Sequence, residues 1–373
     1  MDSLSQLALG AAVSVAVLRQ RQPVWRSALL GAVAGTLPDL DVLLRQPEAI
    51  SAMTRHRAES HSLFYLTLLS PLLAWLWLVL LPAPARPQTP RLAPWRQSLW
   101  WPTLLAIWLT LITHPLLDML TQYGTQLAIP FIAKAYAVGS VFVIDPLYTL
   151  PLLVGLALTL SRQQLRWNGL GLLLSTAYLG WGLVAQQHVK GIAQQQVAAG
   201  QLPAAAQTSS GRLLVSATPF NTLLWRIVWL ETTSSGAQPL QYHEAYYSLL
   251  DSSPQLVWRS YPLSATALAQ WQHEPLVARM IWFTDGFVKL EASPQPQRWL
   301  LTDLRLGQEP MYHFRFEFTE LADGRLSAPQ QLEQPLGQRL ALRWLWQRAL
   351  AKTELPLADW LAQPDRQVSK QQP

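Results

Sequence analysis

Seven side chains that bind divalent cations lie at the ends of apolar runs in the first half of the chain. Asp39 and Asp41 stand in GTLPDLDVLL, His56 and His61 in RHRAESHS, His114 and Asp118 in THPLLDMLTQYG, and Asp145 in VFVIDPLY. Ionisable residues beside or within apolar segments are expensive to keep and mark function by default. The chain has no cysteine, so thiolate sites are excluded and a set of imidazoles and carboxylates suits Zn²⁺ best, with Mn²⁺ as the alternative. Seven donors exceed the four of one tetrahedral ion, so two or more ions are expected. A pair of such ions activates water and stabilises a leaving oxygen in phosphoester hydrolysis. Arg55 and Arg57 flank His56 and are candidates to bind phosphate in bidentate fashion, while Glu59 is the candidate general base.

Spacing favours ligation. His114 and Asp118 are four apart, which on a helix places them on one face, one turn from each other. Asp39 and Asp41 follow Pro38, where an irregular turn lets both carboxylates converge. His56 and His61 would diverge on a single helix, so His56 belongs to a loop and His61 to a first helical turn, with Ser60 or Glu59 near its cap. Taken singly, each feature has a plainer reading: interfacial snorkelling for the two arginines, a helix-tying hydrogen bond for His114 with Asp118, and a cap for Asp145. Their conjunction at the apolar segment ends on one face favours a metal site. His188, His243, His273 and His313 have no such company and read as ordinary polar or core residues.

The elements that must position these residues are apolar helices. Uncharged windows at 62–85, 97–113, 146–161 and 167–189, with weaker ones at 3–18 and 27–38, predict four to six membrane helices. The N-terminal stretch has Asp2 where a signal peptide would be basic. Residues 1–187 hold 12 Lys+Arg and 7 Asp+Glu, and residues 188–373 hold 16 and 15. That distribution, with arginines in short loops between apolar runs, excludes a nucleic-acid-binding surface and follows the positive-inside rule. Arg19, Arg21, Arg26, Arg86, Arg91, Arg96, Arg162 and Arg166 would then face the cytoplasm. The motif side and the C-terminal half would face outward, into the periplasm of a Gram-negative cell.

Three parts are expected: a helical membrane domain at 1–187 with its metal site at one face, a linker at 188–210 where Gln, Ala and Ser replace hydrophobic periodicity, and a soluble β-rich α+β domain at 211–373. A Pro-rich connection covers 82–94. In the last part RLLVSATP, TLLWRIVWLETT, EAYYSLLD, LVWRSYPL, ARMIWFTDGFVKLEA, RWLLTDLRLG and YHFRFEFTE read as strands, with helix near 262–275 and 337–362.

GTLPDLD, HRAESHS and THPLLDMLTQYG, followed by Pro130 and Phe131, together resemble the LexA-regulated, inner-membrane metal-dependent hydrolase family. TPFNTLLWR, YYSLLD and DLRLG resemble the extension of its longer members. The resemblance implies metal ligation by Asp39, Asp41, His56, His61, His114 and Asp118; Asp145 is added from position and type. Many relatives carry a His where Val42 stands. The motif set is also similar to that of zinc-dependent phospholipase C and P1-type nucleases, which implies a helical metal core and a phosphodiester substrate. Those enzymes use their own N-terminal amine as a ligand, and no counterpart is expected here.

The expected function is a membrane-bound metal-dependent hydrolase of a phosphoester, with membrane lipids or a small phosphoester as substrate, no nucleic acid, and an unidentified protein partner for the outer domain. Two alternatives stand beside it: a structural or envelope-stress binding protein with a vestigial metal site, and a transporter. Against the transporter, the groups cluster toward one face and the chain has no similar halves.

Overall fold

A computed structural model describes residues 1–19, 21–80, 94–202, 210–232, 241–333 and 338–363. It divides into two compact units. The first comprises residues 1–45, 55–138 and 143–181, the second residues 46–54, 139–142 and 182–373.

The first unit is helical. Asp2 caps α1 (Ser3–Leu18) by accepting from the Leu4 and Ser5 amides. After a short turn follows α2 (Val24–Thr36). The two helices meet through small residues. A Cβ on Gly10 would lie 2.2 Å from the Gly31 carbonyl oxygen, and one on Gly31 would lie 1.9 Å from that of Gly10. Pro38 ends the helical register and opens a 3-10 turn, Pro38–Leu43, that carries Asp39 and Asp41. A second 3-10 turn, Glu59–His61, precedes α4 (Leu63–Leu80); α3 (Ala49–Arg55), which comes between the two turns in sequence, belongs apart from Arg55 to the second unit. Ser62 rather than Ser60 or Glu59 caps α4, its carbonyl accepting from Leu66 N. Only Leu66, Ser70 and Ala74 of α4 are buried, a narrow stripe that faces α5 (Pro94–Met119). Leu18, Leu30, Leu66, Ala74, Ala106, Ile107 and Leu111 form the core of this bundle. Next come α6 (Pro146–Arg162) and the long α7 (Arg166–Ala198).

Three helices are long and apolar enough to cross a membrane among the described residues: Leu63–Leu80, Leu99–Met119 and Arg166–Ala198. Ser3–Leu18 and Pro146–Arg162 are apolar but shorter. At 1.5 Å per residue, a 16- or 17-residue helix falls short of a hydrocarbon core of about 30 Å. The expected four to six spans thus reduce to up to three candidates. The Pro-rich connection at 82–94 lies, apart from Pro94, outside the described residues.

The second unit holds the β structure. Strands β1 (Ser210–Ala217), β2 (Leu224–Thr232), β3 (Gln241–Ser248) and β4 (Arg259–Pro262) form an antiparallel sheet in that order. A second antiparallel sheet runs β10-β9-β6-β5, built from β5 (Val288–Ala292), β6 (Arg298–Asp303), β9 (Arg315–Thr319) and β10 (Gln330–Gln331). A small hairpin pairs β7 (Gly307–Gln308) with β8 (Met311–Tyr312). Helices α8 (Ala265–Trp271), α9 (Pro275–Phe283), α10 (Gln338–Ala349) and α11 (Leu357–Ala362) complete it. In β9 the expected alternation appears as buried Phe316 and Phe318 between half-exposed Arg315 and Glu317.

Two expectations change. ARMIWF at 278–283, read as the start of a strand, belongs to α9: Glu274 accepts from Leu276 N and Val277 N, and Pro275 fits the first helical position. Residues 188–198, read as linker, are the end of α7. Its Val189, Ile192 and Ala193 pack into one core with Val215, Trp225 and Ile227 of the first sheet. Gln196, one of the glutamines that mimicked a linker, is bonded inward, its Oε1 accepting from Leu256 N at 3.1 Å; in the preceding turns of the same helix Gln186 Nε2 donates to Val215 O at 2.7 Å.

Candidate metal centre

The two 3-10 turns and the end of α5 bring four donor residues together: Asp39, His61, His114 and Asp118. His61 Nε2 lies 3.1 Å from His114 Nε2, 3.1 Å from Asp118 Oδ2 and 3.3 Å from Asp39 Oδ1. His114 Nε2 lies 3.4 Å from both Asp39 Oδ1 and Asp118 Oδ2. A tetrahedral ion with bonds of about 2.0–2.2 Å separates its ligand atoms by roughly 3.3–3.6 Å. The five distances fall at or slightly below that range.

The hydrogen bonds around the donors favour a cation rather than an internal proton network. His114 Nδ1 is 2.7 Å from Gly35 O, so that nitrogen carries a proton, and in the neutral ring Nε2 keeps its lone pair toward the cluster. Ser60 Oγ donates to Asp41 Oδ2 at 2.6 Å, because an ionised carboxylate only accepts, and therefore accepts from His61 Nδ1 at 2.9 Å. His61 Nε2 is thereby a lone pair as well. Two imidazole lone pairs facing each other at 3.1 Å repel unless a positive charge lies between them. Asp118 Oδ2, buried beside both, receives no well-directed hydrogen bond. A divalent ion accounts for all of these features at once.

Asp118 uses its other oxygen differently. Gln6 Nε2 donates to Oδ1 at 3.1 Å, Arg57 Nη2 lies 3.3 Å away, and the Met1 amine bonds to the same oxygen. The amine expected to have no part here is thus inside the site. Arg57 is buried: Nη1 donates to Thr121 Oγ1 at 3.3 Å, and its guanidinium stands 4.9 Å over the Tyr123 ring. Its φ is +64°, a left-handed conformation rare for a side-chain-bearing residue. That backbone is held at both ends, since Arg57 N donates to Asp41 Oδ2 at 3.0 Å and Arg57 O accepts from Gln126 N at 2.9 Å.

The remaining expected site residues are placed around this centre. Asp41 and His56 pair with each other, Oδ1 to Nδ1 at 2.8 Å, and stand outside the four-donor set. Burial alone would raise the Asp41 carboxyl, but His56, Ser60 and the Arg57 amide outweigh it and hold it below the usual carboxylate range. The same balance, through His114 and His61, holds Asp39 far lower. Asp145 is not a member of the cluster. It caps α6, accepting from Leu147 N at 3.0 Å and from Tyr178 OH at 2.8 Å, and burial raises its carboxyl above the usual value. Glu59 and Arg55 are exposed, Glu59 on its 3-10 turn and Arg55 at the end of α3. The sequence alone assigns no role beside the four-donor cluster to Gln6 or to the Ser60 relay. A single glutamine in the first turn of an apolar helix was the available signal for one. Thr121 and Tyr123 lay inside the quoted motif and are now seen to hold Arg57.

Fold and donor set together define a membrane protein with a His/Asp centre fit for a metal ion. The sequence model described as YdjM inner membrane protein matches residues 1–189, and the chain belongs to that family. No curated protein and no solved structure matches it. The wider likeness to zinc-dependent phospholipase C and P1-type nucleases receives no support from these comparisons.

Proposed function

We propose that the protein is a membrane-bound metal-dependent hydrolase of phosphoesters, with a lipid headgroup as the preferred substrate and Zn²⁺ as the metal. The observation that carries this reading is the set of four donor atoms whose separations suit one tetrahedral ion, with both imidazoles held in the ligating tautomer. Asp39, His61, His114 and Asp118 would hold the ion, which as a Lewis acid would polarise a phosphoryl oxygen and lower the pKa of a water. A second ion would need the Asp41–His56 pair to open. Asp39 is the most exposed donor, at 16 % against 0 % for the other three, so substrate would approach from its side. Arg57 neutralises Asp118 and positions it, which leaves exposed Arg55 to meet a phosphate. Glu59 is the only carboxylate of its turn, and proton transfer by it would require its side chain to swing toward Asp39.

One observation favours the alternative of a structural centre: four protein donors already close a tetrahedron, as in structural zinc sites, whereas catalytic sites keep a position open. Metal analysis and turnover together separate the two. The detergent-purified protein is expected to carry about one to two zinc per chain, lost in the His61→Ala, His114→Ala double variant, and to hydrolyse bis(p-nitrophenyl) phosphate only when loaded. Bound zinc without turnover of this diester or of phospholipid would leave the structural reading. Absence of metal even after reconstitution would sink both.

A further inference from the structure

The turns that carry Asp39 and His61 also line a cavity of about 130 Å³ against α4. Leu37 and Pro38 come from the first turn and its approach, and Tyr65, Leu66 and Leu69 from the helix. Ser60 and Glu59 form its polar end, and Ser60 is bonded to the His61 ring. The cavity therefore begins one residue from each of two metal ligands and ends on apolar surface.

That surface belongs to a helix built for lipid. The 18 residues of α4 have a mean hydropathy of 2.0, and beyond its narrow buried stripe Leu68 and Leu72 are exposed next to Leu69. The Asp-bearing turn adds Leu40, Val42, Leu43 and Leu44, each at least half exposed. Four exposed aliphatic residues on a six-residue turn and its cap are unfavourable in water and favourable at a membrane interface. A water-soluble phosphodiester would gain nothing from such walls, whereas hydrocarbon would gain for every methylene group it buried.

We infer that this cavity binds the hydrocarbon chain of a membrane phospholipid while the headgroup phosphate stands at the metal centre, an inference that rests on the phosphoester reading above. Leu37, Leu66 and Leu69 grip the chain, and the Ser60 end leads the headgroup toward Asp39 and His61.

The absence of cysteine allows a test that does not depend on turnover. Single-cysteine variants Leu69→Cys, in the cavity, and Leu68→Cys, beside it, are alkylated with a maleimide in maltoside micelles, with and without dioleoylphosphatidylglycerol. The lipid is expected to slow alkylation at Leu69→Cys saturably, by about tenfold, and to leave Leu68→Cys unchanged. Glycerophosphoglycerol, the same headgroup without chains, should slow neither. Equal slowing at both positions, or none at Leu69→Cys under saturating lipid, would overturn the chain site. Protection without hydrolysis would keep the chain site and sink the hydrolase reading, and hydrolysis without protection would do the reverse.

Discussion

Asp118 divides its two oxygens between opposite tasks, and the division explains which neighbours matter. Oδ1 meets Arg57, Gln6 and the Met1 amine, while Oδ2 is left to the imidazoles. Replacing Asp118 by Asn would put an amide where a charged acceptor is needed and leave Arg57 buried without its counter-ion. A severe loss of both metal and stability is the expected outcome, read by metal content and thermal midpoint. Ser60 offers a finer probe, because it touches no expected ion yet fixes the His61 tautomer. Ser60→Ala should weaken zinc affinity by about 10- to 100-fold, measured by chelator competition, with the fold intact. Asp41 anchors that relay and titrates predictably. Its folded carboxyl lies below its unfolded value, so the stability it contributes is fully present above about pH 4 and is lost as pH falls through the folded value. The difference in thermal midpoint between wild type and Asp41→Asn should stay constant from pH 7 to about 5 and shrink at lower pH. A difference that grew on acidification would contradict the role assigned to this carboxylate.

At the scale of elements, the site depends on how closely α1 and α2 approach. Gly35 O, which fixes the His114 tautomer, lies at the end of α2, and that helix is seated on α1 through Gly10 and Gly31. A methyl group on Gly31 would meet rigid backbone at 1.9 Å, so the helices must separate. Gly31→Ala is expected to cost about 1–3 kcal/mol and to reduce zinc retention as well, whereas Gly169→Ala, with open space around it, should do neither. Much of this architecture is legible from sequence. The i, i+4 pair on α5, the Pro38 turn, the location of His56 before the second turn and most strands follow from local rules of spacing and patterning. Other features depend on tertiary partners that a linear pattern does not carry. Asp39 and Asp41 look equivalent in the sequence, yet one enters the cluster and the other supports it through Ser60. Asp145 has the right type and setting for a ligand but spends its oxygens on a cap and on Tyr178. Gln196 reads as part of a solvated linker because nothing local reveals the backbone amide of Leu256 that its side chain receives.

At the scale of the molecule, α7 has two employments. Residues up to Trp181 belong to the helical unit, and those from Gly182 belong to the unit that contains both sheets. At 33 residues the helix is about 50 Å long, well beyond a hydrocarbon core of about 30 Å, so a span and a core-packed extension fit in one element. We expect the end of α7 that begins at Arg166 to face the cytoplasm. Arg162 and Arg166 flank that turn, and Arg19 and Arg21 follow the adjoining short helix. In the motif-bearing segments 39–61 and 121–147 the basic residues are Arg45, Arg55, Lys134 and Arg57, the last neutralised inside the site. Cysteines introduced into the cysteine-free chain read this directly. Lys134→Cys and Asp323→Cys should react with a membrane-impermeant maleimide in intact cells, and Gln164→Cys only after permeabilisation; all three positions are exposed. The reverse pattern would put the metal centre on the cytoplasmic face, where lipids of the outer leaflet could not reach it.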